Sequence, residues 1–402
     1  MVSSIHYPSA SLKPHREKNV LAGHLWVFSG SLQQPPHWVE DGGLLDVKSS
    51  TGQFVGRGYY NSHTDIAVRI LTRDAVDIID AQFIRRRIRH ALARRKVFEL
   101  DDAYSNAYRV VNAEGDMLPG LIVDRYADVF VIQVSTAGME RLCPLVVEAL
   151  IEETEAKGIL LRNDSQARRR EGLPLEGPRV VYGEVPALVQ VLENGIKLLV
   201  DVWYGQKTGL FLDQRDKRKA LKQYTKGQRV LNCFSYTGGF SLNAALSKVP
   251  ARVTSVDISE TAIEATRQNF ELNDIDLSNH EFIVADVFEY LEAARVRGEL
   301  FDVVILDPPA FAKSQRAKEQ ALKAYQNLNS LGLQVLKRGG ILLTCSCSNI
   351  VSMDELKEIV ASTAQRLHRP FSILDTFTHG IDHPVHGSMP ETAYLKAIIY
   401  RL

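Results

Sequence analysis

Apolar runs alternate with helical segments along the second half of the chain, from about residue 190. Runs that are apolar throughout, such as VVIL, are typical of parallel strands covered on both faces. The last two extended segments, FSILDTF and AYLKAIIYRL, follow each other without a helical pattern between them. The pattern predicts an α/β fold in which a parallel sheet ends in an antiparallel hairpin. Its other strand candidates are RVLNCF, VTSVDI, EFIVADV, FDVVILD and GGILLTCSC.

The first half of the chain has shorter extended segments separated by turn signals. GLLDVKSSTGQFVGRGYYN offers two strands of a small β module, and residues 80–98 have a helical composition. The segment AYRVVNAEGDMLPGLIVDRYADVFVIQVST then predicts a hairpin-rich sheet, followed by a helix that ends at Gly158 as its C-cap. We therefore expect three domains, at residues 1–75, 76–190 and 191–402.

Composition favours a folded, cytoplasmic protein. The 402 residues are 45% hydrophobic and 24% charged, without a biased repeat. Four cysteines in so long a chain do not indicate a disulfide framework, so a reducing compartment fits best. The N-terminal segment lacks the apolar core of a signal peptide, and no apolar stretch reaches the roughly 18 residues of a membrane span. Secretion and membrane insertion are not expected.

The net charge of zero conceals a concentrated basic segment, RRRIRHALARRK, at residues 85–96. On a helix, Arg85, Arg89 and Lys96 fall at spacings of four and seven, and Arg86 lies beside them. Such a face either is solvated or holds the phosphates of a nucleic acid. A second run, at residues 168–170, is the alternative phosphate contact.

Candidate chemistry lies where the predicted strands end, since ligands of doubly wound sheets bind at the carboxyl ends of the strands. A glycine-containing turn follows the first strand, at residues 232–239, and Asp257, Asp286 and Asp307 follow the next strands. Each aspartate alone could be a helix cap. Together with the turn they predict a nucleoside-bearing cofactor. Because the turn lacks G-x-G-x-x-G, S-adenosylmethionine (SAM) fits better than a dinucleotide with its pyrophosphate.

The segments DPPAF and TCSCS are expected to carry the reaction. Two prolines fix the backbone after Asp307, so Phe311 either stacks on an extruded base or is buried in a rigid loop. Cys345 and Cys347 could be half of a metal site, but no other cysteine pair or compact histidine cluster completes it. The alternatives are an inert buried thiol and a thiolate nucleophile, which needs partial exposure.

At these residues the sequence resembles the ribosomal RNA large subunit methyltransferase I family, which makes 5-methylcytosine in 23S rRNA. The resemblance implies an N-terminal PUA RNA-binding domain, a small α+β hairpin domain and a class I (Rossmann-like) methyltransferase domain. It covers residues 23–394, in order. The matching segments are HLWVFSG, DMLPGLIVDRY, GQKTGLFLDQRDKR, VLNCFSYTGGFS, SVDISETAIEATRQN, DVVILDPPAF and GGILLTCSCS.

The resemblance also implies roles for individual residues. Cys347 is the nucleophile by its register from Gly339 and Gly340, although Cys345 fits the same T/S-C-S triplet. Asp307 faces the methyl donor and the base. The partner is 23S rRNA or a large-subunit assembly intermediate, and a homodimer is left open. The residues implied to bind or cover the cofactor are Asn232, Phe234, Ser235, Tyr236, Gly238, Asp257, Asp286 and Asp307, with Asp213, Gln214 and Arg215.

One departure keeps alternatives open. Many RNA 5-methylcytosine enzymes have a second cysteine in the DPP-type segment, and residues 307–311 contain none. The base that removes the C5 proton is therefore unidentified, and methylation of guanine at N2 or N7 is the runner-up. Two further alternatives are an RNA-binding protein with a vestigial methyltransferase fold and a nicotinamide enzyme. Binding of SAM or of NAD distinguishes these.

Overall fold

The computed structural model describes residues 6–98, 100, 103–312 and 315–402. The chain divides into two compact units, which are described separately below. Short segments of the second half of the chain belong to the first unit. The first unit comprises Met1–Val191, Val200–Leu212 and Ile381–Thr392, and the second comprises Leu192–Leu199, Asp213–Gly380 and Ala393–Leu402.

The first unit begins with a five-stranded sheet in the order β1-β3-β4-β5-β2. β1 is parallel to β3, and the other neighbours are antiparallel. In β4 and β5 every residue after the first is buried, so both faces of these strands are covered. The expected small β module is therefore present. Its elements are β1 (Ser9–Ser11), α1 (Lys18–Leu21), β2 (Trp26–Phe28), β3 (Leu44–Lys48), β4 (Phe54–Tyr60) and β5 (Ile66–Thr72).

A second five-stranded sheet follows, in the order β10-β9-β8-β7-β6. The expected helix at 80–98 is α2, and the Asp80 carboxylate caps it by accepting from the N–H of Phe83. The apolar faces of α2 and α3 share one core cluster with this sheet. The elements are α2 (Ala81–Val97), β6 (Ala107–Asn112), β7 (Leu121–Tyr126), β8 (Val129–Val134), α3 (Ala137–Glu153), β9 (Gly158–Leu161), α4 (Ala167–Arg170) and β10 (Arg179–Gly183).

The expected C-cap at Gly158 is wrong, because α3 already ends at Glu153 and Gly158 is the first residue of β9. The glycine is needed there for another reason. A Cβ atom on Gly158 would lie 2.1 Å from the carbonyl oxygen of Glu184. The position therefore marks a close approach of two backbone segments, which the sequence signal does not distinguish from a helix end.

An ion pair between Arg95 of α2 and Asp116 lies in the interior of the first unit. Both side chains are 1% exposed, and two N–H···O contacts of 2.6 and 2.7 Å join them. Arg95 also donates to the carbonyl oxygen of Asp382, whose carboxylate accepts from the backbone N–H of Arg109. Asp382 belongs to Ile381–Thr392, a segment that the expected division into 1–75, 76–190 and 191–402 assigns to the last domain.

The second unit contains a seven-stranded sheet in the order β15-β14-β13-β16-β17-β19-β18. The five strands from β13 to β17 are parallel, and β19 is antiparallel to both of its neighbours. The chain order reverses between β13 and β16, which makes this the topological switch point. The predicted class I methyltransferase sheet with a terminal antiparallel hairpin is confirmed.

Helices alternate with these strands, as the sequence pattern predicts. The hairpin of β11 (Val189–Glu193) and β12 (Ile196–Val200) precedes them. The remaining elements are α5 (Arg215–Leu221), β13 (Arg229–Cys233), α6 (Gly239–Ala245), β14 (Arg252–Asp257), α7 (Glu260–Leu272), β15 (Glu281–Val284), α8 (Val287–Val296), β16 (Phe301–Leu306), α9 (Lys318–Gln334), β17 (Leu336–Ser346), α10 (Met353–Arg366), β18 (Ser372–Phe377) and β19 (Lys396–Arg401).

Among the residues that the structure describes, none of the helices combines the length and the apolar composition that a membrane crossing requires.

The buried ion pair generates a prediction about stability. Replacing Arg95 by Met leaves the buried Asp116 carboxylate without its main partner, so the free energy of unfolding should fall by about 3–5 kcal/mol. Arg94 donates to the same carboxylate, but its side chain is 46% exposed. Arg94→Met should therefore cost less than about 1 kcal/mol. Urea unfolding followed by circular dichroism measures the free energy of unfolding of both variants. Equal losses of that free energy in the two variants would contradict the role of burial.

Candidate active site

The turn after β13 has a backbone that few sequences can adopt. Phe234, Tyr236 and Gly238 have φ angles of 60°, 47° and 81°, in the left-handed region. A Cβ atom on Gly238 would also lie 2.5 Å from Cγ2 of Thr266 in α7, so a larger residue is excluded there. α6 begins directly afterwards, at Gly239. The turn thus brings backbone close to the carboxyl end of β13, as the sequence predicted.

Asp257, the last residue of β14, connects this turn to the neighbouring strand. One carboxylate oxygen accepts from the N–H of Tyr236 at 2.9 Å, and the other accepts from the N–H of Ser259 at 3.0 Å. The carboxylate is half-buried. Because each carboxylate oxygen has two acceptor positions, both oxygens can still accept hydrogen bonds from the hydroxyls of a ribose.

Asn232 and Ser235, two residues predicted to bind the cofactor, lie in different environments. Asn232 is fully buried, and its amide donates to Ser241, whose hydroxyl also bonds Ser255. Its side chain therefore connects β13, α6 and β14 rather than lining an open surface. Ser235, in the turn, is also buried, and its hydroxyl oxygen has no hydrogen-bond partner among the described residues. A buried hydroxyl in that condition is available to a ligand.

Asp286 follows β15, and its carboxylate caps α8. One oxygen accepts from the N–H groups of Phe288 and Glu289, at 2.8 and 3.2 Å. The side chain is half-buried. A helix cap and a cofactor contact are compatible roles for Asp286, because a cap that uses one carboxylate oxygen leaves the other for an amino group of a ligand.

Asp307 lies at the end of β16, beside the switch point. Its carboxylate accepts from the side-chain amide of Gln214 at 2.8 Å and shares a hydrogen bond with the thiol of Cys345. Burial, and then the negative charge of Asp213, raise the pKa of Asp307 to about 6, although Lys217 and other nearby cations oppose the shift. This carboxyl group can therefore change its protonation state near neutral pH.

A buried polar cluster surrounds Asp307 and was only partly expected. Asp213, predicted to cover the cofactor, is 4% exposed and accepts from the hydroxyl of Tyr394 at 2.6 Å. Lys217 donates to the carbonyl oxygen of Asp213 at 2.6 Å, and burial lowers the pKa of this lysine. Gln214 and Arg215, the other two residues of that prediction, are 3% and 2% exposed. Sequence reasoning missed Tyr394, because its partner Asp213 is distant in the sequence, and it also missed Lys217, whose partner is only one helical turn away.

The two cysteines of the TCSCS segment differ in their surroundings. Cys345 lies inside β17, is fully buried and hydrogen bonds Asp307, and burial raises the pKa of its thiol well above the usual value. β17 ends at Ser346, so Cys347 lies in the following loop. Its thiol is half-exposed and lies 3.9 Å from the carbonyl oxygen of Pro308, next to Asp307. Cys347 thus has the exposure that a nucleophile needs.

Phe311, the aromatic residue of the DPPAF segment, is half-buried. Its ring centroid lies 4.7 Å from that of Tyr325 in α9 and 6.2 Å from that of Phe288 in α8. The ring therefore packs against the sheet's core cluster and also retains an exposed part. Both interpretations given above, a buried ring and a stacking surface, find a basis in this placement.

The basic helix α2 is largely ion-paired. Arg85 and Arg89 both contact the carboxylate of Glu153, which holds the pKa of that glutamate well below its usual value. Arg86 pairs with Asp77 at 2.6 Å. Lys96 is exposed and has no such partner among the described residues. Helix α2 therefore carries less uncompensated positive charge than the sequence suggests, since carboxylates from other segments lie against its arginines.

The second basic run is not uniformly exposed. Arg168 is fully buried and donates to Glu140 at 2.7 Å and to the carbonyl oxygens of Val134 and Pro174. Arg169 and Arg170 are exposed. Only these two arginines could meet a partner. For the part of the chain that is described, no group of three or more metal-ligating side chains is found.

Comparisons with known proteins agree with this geometry. The family profile described as "S-adenosylmethionine-dependent methyltransferase" matches residues 169–401, and the profile of the PUA-like domain matches residues 11–73. The ribosomal RNA large subunit methyltransferase I of Klebsiella pneumoniae (strain 342) is 39% identical over 398 residues, which are 98% of either chain. The chain belongs to the ribosomal RNA large subunit methyltransferase I family. The enzyme of that name from Aeromonas salmonicida is 40% identical over 96% of this chain and 97% of its own.

Solved structures extend the agreement to the whole fold of this family member. A methyltransferase structure solved in complex with SAH aligns with a TM-score of 0.85 over 98% of this chain and all of the other, at 24% identity. A chain from Streptococcus mutans described as a SAM-dependent methyltransferase gives 0.83 at 25% identity, with the same coverage. The family profile shows that the cofactor of this protein is SAM. The site fits it, since the turn offers the Ser235 hydroxyl, which has no partner among the described residues, and the neighbouring strands β14 and β15 are followed by half-buried carboxylates.

The raised pKa of Asp307 generates a prediction about stability and pH. The group is more acidic in the unfolded chain, so the folded state binds the extra proton between about pH 4 and pH 6, and its stability falls as the pH rises through that window. Asp307→Asn keeps the acceptor for Gln214 and removes this penalty. Its thermal midpoint should exceed that of the wild type at pH 8, and the difference should nearly vanish at pH 4.5.

Differential scanning calorimetry at both pH values measures this difference, and Asp274→Asn, at an exposed position, is the control. An Asp307→Asn difference that is the same at pH 4.5 and pH 8 would contradict the raised pKa.

Proposed function

We propose that this protein uses SAM to make 5-methylcytosine in 23S ribosomal RNA, with Cys347 as the nucleophile. The observation that carries the proposal is the half-exposed Cys347 thiol beside the Asp307-Pro308 segment, at the switch point of the sheet. The name shared by its relatives supports ribosomal RNA as the substrate.

The cofactor would be held by the turn of residues 232–239 and by three carboxylates. In this proposal Asp257 accepts from the ribose hydroxyls, Asp286 lies near the adenine, and Asp307 faces the methyl donor. Ser235 and the backbone of Phe234, Tyr236 and Gly238 line the turn, and Asn232 supports it from below through Ser241. When bound, SAM supplies an electrophilic methyl group on its sulfonium.

The chain's own groups perform the remaining chemistry. C5 of cytosine is a poor nucleophile, and attack of the Cys347 thiolate on C6 turns it into an enamine-like carbon. The Asp307 carboxyl, whose pKa of about 6 allows it to carry a proton, can donate a hydrogen bond to N3 and so stabilise the electron density that the attack displaces onto that atom. After C5 takes the methyl group, loss of the C5 proton to a base and cleavage of the S–C6 bond release the product and the thiolate.

The two cysteines provide a matched test of this mechanism. Cys347→Ala should abolish methyl transfer to 23S rRNA and leave SAM binding nearly unchanged, because the thiol serves only the base. Cys345→Ala removes the buried thiol two residues earlier, in β17, and should retain most of the transfer. Incorporation of labelled methyl groups, with nucleoside mass spectrometry, measures transfer, and isothermal titration measures SAM affinity.

Full transfer by Cys347→Ala would reject the thiolate mechanism. A methylated guanine in the product would then establish nitrogen methylation at N2 or N7, which the absence of a thiol from residues 307–311 favours. Absence of SAM binding in the wild type would leave only an RNA-binding role.

Two surfaces of the first unit, and Phe311 of the second unit, are proposed to meet the RNA. The PUA-like domain would contribute to selection of the target, since RNA recognition relies on shape and unstacked bases. Phe311 would stack on the extruded base. Helix α2 would contact phosphates through Lys96 and through the N–H groups of Arg85, Arg86 and Arg89 that their carboxylate partners leave unused.

The phosphate role of α2 can be tested by removing charge. Gln is the better substitution, since a Glu at position 89 would lie against Glu153. The triple variant Arg85→Gln, Arg89→Gln, Lys96→Gln should bind RNA more weakly, and its log-log salt slope should fall by about 0.7 to 0.9 for each lost contact.

A matched control is Arg295→Gln with Arg297→Gln, two exposed arginines that are also ion-paired. Filter binding at several salt concentrations gives the RNA affinity and its salt slope. Unchanged affinity and slope in the triple variant would assign the phosphate path to another surface, with Arg169 and Arg170 the next residues to replace.

A further inference from the structure

A basic residue begins β19, the last strand in the chain, and the next four residues, 397–400, are buried. Lys396 is the first residue of β19 and pairs directly with Ser346, the last residue of β17. Directly opposed residues of antiparallel strands place their side chains on the same face of the sheet. The hydroxyl of Ser346 donates to the hydroxyl of Tyr325 at 3.0 Å, so this face is the one that α9 covers. Lys396 therefore projects toward the loop that contains Cys347.

The ammonium of Lys396 is fixed against that loop. It donates to the carbonyl oxygen of Ser348 at 2.5 Å and to that of Tyr394 at 3.0 Å. Ser348 directly follows Cys347 in the chain, so the first of these bonds holds the peptide next to the thiol. An ammonium has three N–H groups, and these two carbonyl oxygens use two of them. The side chain is half-buried, which limits screening by solvent.

The charges around Lys396 and Cys347 show which groups interact. Burial lowers the pKa of Lys396, whereas the negative charges of Cys347 and then Glu355 raise it. Glu355, from α10, is held by Lys318 at 2.7 Å and accepts from the N–H of Ser352. Tyr325, from α9, faces the same thiol, and burial keeps its hydroxyl protonated by raising its pKa. Of these described groups, Lys396 is a positively charged one that interacts with Cys347.

We propose that Lys396 is a positioning residue that stabilises the thiolate of Cys347 electrostatically and holds its loop in place. The inference rests on the proposed function, in which this thiolate attacks C6. The thiol proton leaves to solvent, the ammonium keeps all of its protons, and the negative charge on sulfur is balanced by the fixed positive charge nearby. A nearby positive charge favours the charged form of an acidic group, so the fraction of thiolate at neutral pH increases.

Alkylation of the full-length protein by iodoacetamide tests the proposal without RNA or SAM, because the rate follows the fraction of thiolate. The other three cysteines are buried, and Cys347→Ala identifies any signal that they contribute. The rate at Cys347 is followed by peptide mass spectrometry between pH 6 and pH 10. Lys396→Gln is the main variant, since its amide can still donate to the Ser348 carbonyl while the charge is lost. Lys396→Arg restores the charge.

In Lys396→Gln the apparent pKa of Cys347 should rise by about one unit, so alkylation at pH 7 should be about tenfold slower. Lys396→Arg should return most of that rate. An unchanged pKa in Lys396→Gln, or a raised pKa that Lys396→Arg does not restore, would overturn the proposal. If Lys396→Gln does not fold, Lys396→Met, which keeps the length of the side chain and removes its charge, replaces it. An unchanged pKa of Cys347 in that variant would overturn the proposal.

These outcomes differ from those that test the proposed function. If Cys347→Ala still transfers methyl groups but Lys396→Gln raises the thiol pKa, the thiolate mechanism fails and the electrostatic role of Lys396 holds. If Cys347 is essential for transfer but its pKa is unchanged in Lys396→Gln, the thiolate mechanism holds and the electrostatic role of Lys396 fails. A matched variant, Lys318→Gln, removes a cation that pairs with Glu355 on the neighbouring helix and should leave the alkylation profile of Cys347 unchanged.

Discussion

The active site depends on one topological constraint, the reversal of chain order between β13 and β16. Because both strands run in the same direction at the centre of the sheet, the segments that follow them leave from the same edge, on opposite faces. The strained turn after β13 and the Asp307-Pro308 segment after β16 are neighbours for that reason. The antiparallel insertion of β19 next to β17 then adds Tyr394 and Lys396, from the last residues of the chain, to the same edge.

The local sequence pattern was sufficient to predict which residues lie at this edge of the sheet. Each of the strands is an apolar run, and each is followed by a turn or an acidic residue, so the positions of Asp257, Asp286 and Asp307 could be derived from neighbours in the sequence. The turn without G-x-G-x-x-G favoured SAM, and the family resemblance added the preference for Cys347. The structure contributes the contrast between a buried Cys345 and a half-exposed Cys347, because burial depends on where β17 ends and what covers it.

Long-range pairing explains what the sequence could not predict. The arginines of α2 form a basic run in the sequence, but the carboxylate that compensates Arg85 and Arg89 comes from Glu153, at the end of another helix. Arg168 similarly belongs to a run that the sequence predicts to be exposed, but in the structure it is buried and pairs with Glu140. The same limit applies to Asp213, whose partner Tyr394 is far away in the sequence. Charge patterns along the chain therefore overestimate the positive potential that reaches solvent.

The return of Ile381–Thr392 to the first unit has a consequence for biosynthesis. Chains usually fold domain by domain from the N-terminus while translation proceeds. Here the carbonyl oxygen of Asp382 completes the hydrogen bonding of Arg95, and its carboxylate binds the Arg109 backbone, so the N-terminal half lacks part of its interior until the end of the chain has emerged from the ribosome. Recombination near residue 190 would therefore separate the buried Arg95 from one of its acceptors, the carbonyl oxygen of Asp382.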